Sequence, residues 1–273
     1  MGKFDGILIC TDLDDTLLTS DKKVSKENSE AIEYFKSEGG FFTFATGRVP
    51  EGARLILDFI KPNAPVISFN GAAIYDFEKD CYLWKNALSP DAVKVAELID
   101  HTLPRCGIEV CCADTNYFSK VNRHTEHHKK IEKFPDNYVD YHDVTDEWIK
   151  VIFMEDEDRL YEVRDVIAAS QWADRFEFVK TSPWYYEMLV KGSTKGSAVP
   201  QLAKLLGLDP SRTIGMGDNE NDMSLMTDTG IGIAVANAIE PIRKAADYVT
   251  VDNNSHALAK VVSDLECEKI IFK

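Results

Sequence analysis

Residues 7–17 read Ile7-Leu8-Ile9-Cys10-Thr11-Asp12-Leu13-Asp14-Asp15-Thr16-Leu17. An apolar run of strand length opens directly onto three carboxylates. Runs of this kind are buried parallel strands, apolar on both faces because helices cover both. In open α/β sheets the ligand crevice lies at the carboxyl ends of such strands. Asp12 and Asp14 are two apart, so an extended chain would start both on one side. Crowded carboxylates repel, and a hard cation with oxygen ligands relieves the repulsion. The stretch therefore predicts a parallel strand over 6–12 with a metal-dependent site at its end. An acidic strand exit without function is the competing reading, and the rest of the chain has to decide.

The rhythm continues outward from that strand. Ser25 is an N-cap for a helix over 25–38, with Ala31, Ile32 and Phe35 on its apolar face and Gly39-Gly40 as its stop. A second strand runs from Phe41 to Thr46, a helix covers 50–60, and a third strand spans Pro65 to Asn70 before the turn Asn70-Gly71. Ala72–Tyr75 and Cys81–Trp84 read as a short hairpin. The far end repeats the pattern with a helix over 194–206, a strand over 213–216, a helix over 219–226, and strands near 231–235 and 247–251. Glu240-Pro241 starts a helix between those two strands, and a last helix covers 254–265. Strands separated by helices of this length mean βαβ units and a parallel sheet.

Residues 84–185 break the rhythm. They read as helix 90–103, strand 107–112, helix 124–132, strand 149–154, helix 156–169 and strand 175–180. The fold class is therefore α/β, a Rossmann-like doubly wound parallel sheet from 1–83 and 186–273, with an α+β cap inserted over 84–185. Trp184 then stands near the expected return to the core. His124 and His128 are spaced for one helix face, but Glu126 is displaced from an H-E-x-x-H zinc pattern, so a solvated or substrate-facing helix is expected.

Composition narrows the partners. The 273 residues carry a formal net charge of −15, which repels nucleic acid and anionic membranes. A small anionic substrate is still compatible, since a metal and one lysine reverse the sign locally. No apolar run approaches membrane-spanning length, and Met1-Gly2-Lys3-Phe4-Asp5 has no signal-peptide layout. The six cysteines form no C-x-x-C pair, so the expected compartment is a reducing cytoplasm. The oligomeric state is not readable.

Three further segments carry chemistry. Phe44-Ala45-Thr46-Gly47-Arg48 ends a predicted strand with a hydroxyl and a backbone N–H that suit a phosphate oxygen. Lys191-Gly192-Ser193-Thr194-Lys195-Gly196-Ser197 puts Lys195 in a first helical turn, against the helix dipole, where an anionic partner would account for it. Gly215-Met216-Gly217-Asp218-Asn219-Glu220-Asn221-Asp222 follows another strand and sets Asp218 and Asp222 one turn apart. Glu220 stands where a dinucleotide fingerprint needs its third glycine, and no Walker A loop is present.

In this order the four segments resemble the haloacid dehalogenase superfamily, specifically its Cof-type members with a type IIB cap. The resemblance spans residues 6 to about 265 and rests on Asp12-Leu13-Asp14-Asp15-Thr16, Thr46, Lys195 and Gly217-Asp218-Asn219-Glu220-Asn221-Asp222. The family usually has glycine where this chain has Asp15; aspartate tolerates the unusual backbone angles such a position needs. The resemblance implies a phosphomonoester hydrolase of small phosphorylated metabolites such as sugar phosphates. Asp12 would be the nucleophile and Asp14 the acid/base. Mg²⁺ would be held by Asp12, Asp14 and Asp218. Leu13, Thr46, Gly47, Lys195 and Asn221 would bind the phosphoryl group, and Asp222 would orient metal waters or Lys195. A phosphomutase or phosphotransferase of the same superfamily, and a non-catalytic ligand-binding relative, stay open as alternatives. The motifs recognise only a phosphoryl group, so discrimination among leaving groups is expected from the cap.

Overall fold

The computed structural model describes residues 2–272; Met1 and Lys273, the outer ends of the two expected core segments, lie outside the described residues. The chain forms two compact units. One runs up to Trp84 and resumes at Thr194, and the other is Lys85–Ser193. The first unit opens with strand β1 (Leu8–Thr11), helix α1 (Lys26–Ser37), strand β2 (Phe41–Phe44), helix α2 (Pro50–Arg54), and strands β3 (Val66–Ser68), β4 (Ala73–Asp76) and β5 (Cys81–Lys85). The inserted unit holds α3 (Ala92–Thr102), β6 (Gly107–Cys112), β7 (Asn116–Lys120), α4 (Arg123–Glu132), β8 (Trp148–Met154), α5 (Leu160–Ala168), β9 (Phe176–Ser182) and β10 (Tyr185–Val190). The first unit then resumes with α6 (Lys195–Leu205), β11 (Thr213–Gly217), α7 (Met223–Thr227), β12 (Ile231–Ala234), α8 (Glu240–Ala245), β13 (Tyr248–Val249) and α9 (Ala257–Glu266).

The principal sheet of the first unit has the order β13-β12-β11-β1-β2. Every pairing in it is parallel. From β1 the chain crosses through α1 to β2 in one direction; from β11 it crosses through α7 and α8 to β12 and β13 in the other. Right-handed crossovers then put α1 on one face and α7 and α8 on the opposite face. Helix α9 packs on α1 and α6 packs on α7. Both faces are thus covered, which is why Leu8, Ile9, Cys10, Ile214 and Met216 are all fully buried. Each large apolar side chain buried this way contributes about 1.5–3 kcal/mol. The winding direction reverses between β1 and β11, and the crevice opens at their carboxyl ends. Asp12 and Asp218 are the residues that follow those two ends. A smaller sheet, β3-β4-β5, is joined to the end of β2 by a parallel bridge between Ala45 and Ile67.

Helix α2 stops at Arg54 rather than near 60. Beyond it the chain coils through tighter bonds, such as Ile56 N to Ala53 O and Phe59 N to Ile56 O. Ile56 and Ile60 are buried while Phe59 is 64% exposed, so packing holds one side of this segment without a regular helix.

The inserted unit is an antiparallel sheet of order β7-β6-β8-β10-β9. Val95 and Ile99 of α3 and Val163 and Ile167 of α5 join one core cluster with Ile108, Val110, Val151, Phe153 and Met188 from the strands. The expected division at 185/186 moves to 193/194, because Tyr185–Val190 is a strand of this sheet, paired with β8 and β9. Glu187 interrupts its apolar run. The interruption is satisfied: Lys150 on β8 lies 3.0 Å from the Glu187 carboxylate and the Thr181 hydroxyl donates to it at 2.8 Å. Trp184 accordingly sits in the β9–β10 turn, stacked on His124, and not at a return to the core. Of the three histidines on α4, His127 is exposed, and the other two have separate acid partners, Asp156 for His124 at 2.6 Å and Glu109 for His128 at 2.7 Å. Both are largely withdrawn from solvent, although the helix that carries them exposes Arg123, Glu126, His127 and Lys130.

Candidate active site

The site is built at the ends of β1 and β11 and at the start of α6. Asp12 follows β1, where its N–H still donates to Met216 O at 2.9 Å and so holds it in the sheet frame. Lys195 is the first residue of α6. Thr194 caps that helix reciprocally with Ser197, whose N–H donates to the Thr194 hydroxyl at 3.1 Å. The Lys195 ammonium, 1% exposed, donates to Asp12 Oδ1 at 2.5 Å and to Asp222 Oδ1 at 2.6 Å. Its position against the helix dipole is thus compensated by two carboxylates of the protein itself. Burial alone would lower its pKa, but Asp12 and Asp222 outweigh burial and hold it above the usual lysine range.

Asp222 is fully engaged. Its second oxygen accepts the N–H groups of Asp218 at 3.0 Å and Asn219 at 3.2 Å. Gly217 makes this turn possible, because a Cβ there would lie 2.3 Å from that of Asp222. Of the two tasks expected of Asp222, its bonds fit the orientation of Lys195. Asp218 accepts the Thr16 hydroxyl at 2.7 Å. Oxygens of Asp12, Asp218 and Asp222 lie within 4.8 Å of one another. Three carboxylates less one ammonium leave a formal charge of −2 in a buried place. Burial first, and Asp222 second, push the Asp218 carboxyl up to about 6. Burial, together with Asp222 and Asp218, raises Asp12 well above the usual carboxylate range in spite of Lys195. All-oxygen donors with an uncompensated double negative charge fit a hard divalent cation.

Asp14 does not join this cluster. The chain leaves the strand at Asp12 and bends through Asp15, which has φ 58° and ψ 10°. That left-handed conformation is the demand that the sequence meets with aspartate at position 15. Asn237 Nδ2 donates to Asp15 O at 2.8 Å and Asn253 Nδ2 to Leu18 O at 2.9 Å, which pins the bend. The Asp14 carboxylate meets Lys22 Nζ at 3.2 Å and an Arg48 nitrogen at 3.3 Å. Burial would raise its pKa, but Arg48 and then Lys22 prevail and hold it below the usual range. Sequence reasoning missed both cations; Arg48 had a signal in its place beside Thr46-Gly47, and Lys22 had none.

Thr46 is buried and its hydroxyl accepts the Arg48 N–H at 3.2 Å. Gly47 faces Asn70, whose amide would lie 2.8 Å from a Cβ at Gly47. Asn221 Nδ2 reaches Asn70 Oδ1 at 3.4 Å, so Gly47, Asn70 and Asn221 form one neighbourhood. Asn70 itself holds φ 52°, and Gly71 holds φ 100° with a Cβ position 2.0 Å from the Thr194 carbonyl. The turn after β3 therefore abuts the start of the lysine helix. The Leu13 side chain is buried in the core cluster, which leaves only its main chain for a ligand.

With this geometry in hand, likeness to known proteins is informative. The family model described as haloacid dehalogenase-like hydrolase matches residues 9–262. YxeH of Bacillus subtilis is 29% identical over 278 residues, covering 96% of this chain and 99% of YxeH. The 5-amino-6-(5-phospho-D-ribitylamino)uracil phosphatase YcsE of Bacillus subtilis is 27% identical over 257 residues, covering 93% of this chain and 94% of its own. Among solved structures, the subclass IIB sugar phosphatase BT4131 superposes with a TM-score of 0.80 at 21% identity, covering 95% of this chain and 99% of that one. At that identity the likeness speaks for the fold.

Proposed function

The chain belongs to the haloacid dehalogenase-like hydrolase family, and from that premise we propose that it is a Cof-type, magnesium-dependent phosphatase of small phosphorylated metabolites, sugar phosphates among them, working through an aspartyl-phosphate. The observation that carries this reading is Asp12 at a strand end, bonded to the buried Lys195 inside a carboxylate cluster. A carboxylate accepts a phosphoryl group and divides one hard displacement into two easier ones.

In the first step an Asp12 oxygen forms a bond to phosphorus while the bond from phosphorus to the leaving oxygen breaks. Asp14 gives that oxygen its proton, which it can carry only once Arg48 and Lys22 turn from it, because while in place they hold its carboxyl ionised. In the second step Asp14 takes a proton from water, the water oxygen bonds to phosphorus, and the bond to Asp12 breaks to release inorganic phosphate. Lys195, the Thr46 hydroxyl, the Gly47 and Leu13 main chain and Asn221 hold the phosphoryl oxygens, and Asp222 holds Lys195. Asp12, the Asp14 carbonyl and Asp218 would hold Mg²⁺, which when bound supplies positive charge for the phosphoryl oxygens. Phosphoryl transfer needs little beyond positioning and charge neutralisation. Residues 85–193, as the cap, take part in choosing the leaving group.

The six cysteines are unpaired and four of them are buried, which supports a reducing cytoplasm as the setting. Among the described residues no helix is long and apolar enough to cross a membrane. The test is phosphate release from an aryl phosphate and a panel of sugar phosphates, with Mg²⁺ and with chelator. Release should require the metal and should vanish in Asp12→Asn, which keeps the shape and removes the nucleophile. Full turnover in EDTA, or in pure Asp12→Asn, would sink the mechanism. Phosphate appearing on an added sugar instead of in solution would make the enzyme a phosphotransferase.

A further inference from the structure

We propose that Lys22 and Arg48 form an anion-binding position on the leaving-group side of Asp14, and that it favours phosphomonoesters whose leaving group carries its own anionic group close to the ester oxygen. The inference rests on the phosphatase reading and names a substrate class within it.

Two cations from separate segments converge on one carboxylate. Lys22 Nζ lies 3.2 Å from Asp14 Oδ1 and 3.4 Å from Asp15 Oδ2, and Arg48 takes Asp14 Oδ2 at 3.3 Å. These contacts are longer than the roughly 2.7–2.9 Å of a well-made charge-assisted bond. Lys195, by contrast, grips its two carboxylates at 2.5 and 2.6 Å. The Lys22 side chain is 54% exposed. Its backbone is fixed, with φ 57° in a turn closed by Thr19 N to Lys23 O at 2.8 Å. A rigid base thus carries a side chain that can exchange partners.

The charge sum points the same way. Asp14, Asp15, Lys22 and Arg48 are two acids and two bases, so this corner is formally neutral, whereas the neighbouring carboxylate cluster is not. These four groups by themselves add no net repulsion to an incoming anion. Asp14 handles the leaving oxygen, so the atoms one to three bonds beyond that oxygen must pass beside these two cations. A carboxylate or a second phosphate can draw either cation from Asp14, and the guanidinium fork matches both geometrically. A neutral polyol offers nothing of comparable strength. One determinant of specificity therefore sits in the core unit, apart from whatever the cap supplies.

The experiment compares matched esters on the full chain with Mg²⁺: phosphoglycolate and ethane-1,2-diyl bisphosphate against neutral 2-hydroxyethyl phosphate. The kcat/KM of the wild type should be at least tenfold higher for one or both anionic esters, and which of them gains separates carboxylate from phosphate. Lys22→Met should bring the ratio of anionic-ester to neutral-ester kcat/KM down toward one, whatever it does to both through its contact with Asp14, and Lys22→Arg should restore part of that ratio. Equal kcat/KM for all three esters in the wild type, or a Lys22→Met that depresses neutral and anionic esters alike, would overturn the proposal. Failure to turn over any of the three, or an aryl phosphate, would instead overturn the phosphatase reading beneath it.

Discussion

Lys195 is the residue on which the site's electrostatics turn. It is the cation that holds Asp12 and Asp222 together in a place largely withdrawn from solvent. Removing one partner of a buried ion pair leaves uncompensated charge, at about 3–5 kcal/mol. Lys195→Ala should therefore both abolish turnover and lower the melting temperature in chelator, with Mg²⁺ recovering part of the stability. Lys195→Arg should be nearly as inactive, because a planar fork does not fit where a compact ammonium is 1% exposed. Wild-type kinetics in the arginine variant would mean that Lys195 is remote from the phosphate. Aspartate at position 15 shows what a single letter can reveal: the tolerance for left-handed backbone was readable, and φ 58° is what the position requires. The bracketing of Asp14 was not readable, since Lys22 reaches it only through a turn whose closure no local pattern announces.

Elements that bury both faces were the most legible. β1 and β11 announce themselves as unbroken apolar runs ending in glycine or acid, and the structure pairs them from Leu8–Thr213 to Thr11–Met216. β7 and β10 were not recognised, and the reasons are physical. β7 is an edge strand whose sequence alternates weakly, and β10 carries Glu187, whose partner Lys150 lies on another strand and is invisible to any local period. The junction of the β3 turn with α6 is a second long-range fact, and it can be tested. Gly71→Ala combines left-handed strain with a Cβ 2.0 Å from the Thr194 carbonyl. We expect a loss of about 2–5 kcal/mol from strain and overpacking together, with reduced kcat/KM because the start of α6 moves. Gly192→Ala is the control: φ is +78° but nothing lies within 4 Å of its Cβ, so only the strain, about 1–2 kcal/mol, should appear. Equal chemical-denaturation midpoints for the two variants would show that the turn and α6 are not packed as described.

For the molecule as a whole the carboxylate cluster predicts a stability that depends on pH and, under the proposed function, on metal as well. A carboxyl held at about 6 in the folded chain, against an ordinary 3.8, keeps a proton that the unfolded chain gives up. The penalty is absent below pH 4, grows as pH rises from 4 to 6, and is complete above it, at roughly 3 kcal/mol for a shift of this size. Asp12, raised by the same burial, adds in the same direction. Metal-free protein should therefore lose melting temperature across that window, and Mg²⁺ should raise it more at pH 7 than at pH 5, where protons compete for the same oxygens. A metal-induced increment that does not change with pH would contradict this account. Finally, the pairing of β1 with β11 joins residues about two hundred positions apart. During synthesis at roughly 5–20 residues per second, the first strand waits some 10–40 s on the ribosome for its inner neighbour, and Asp12 waits about as long for Lys195. The antiparallel insert has all its strands within one continuous stretch and can close during that interval. The nascent amino-terminal segment, with an apolar edge that nothing yet covers, is then the aggregation-prone species that a holding chaperone would meet.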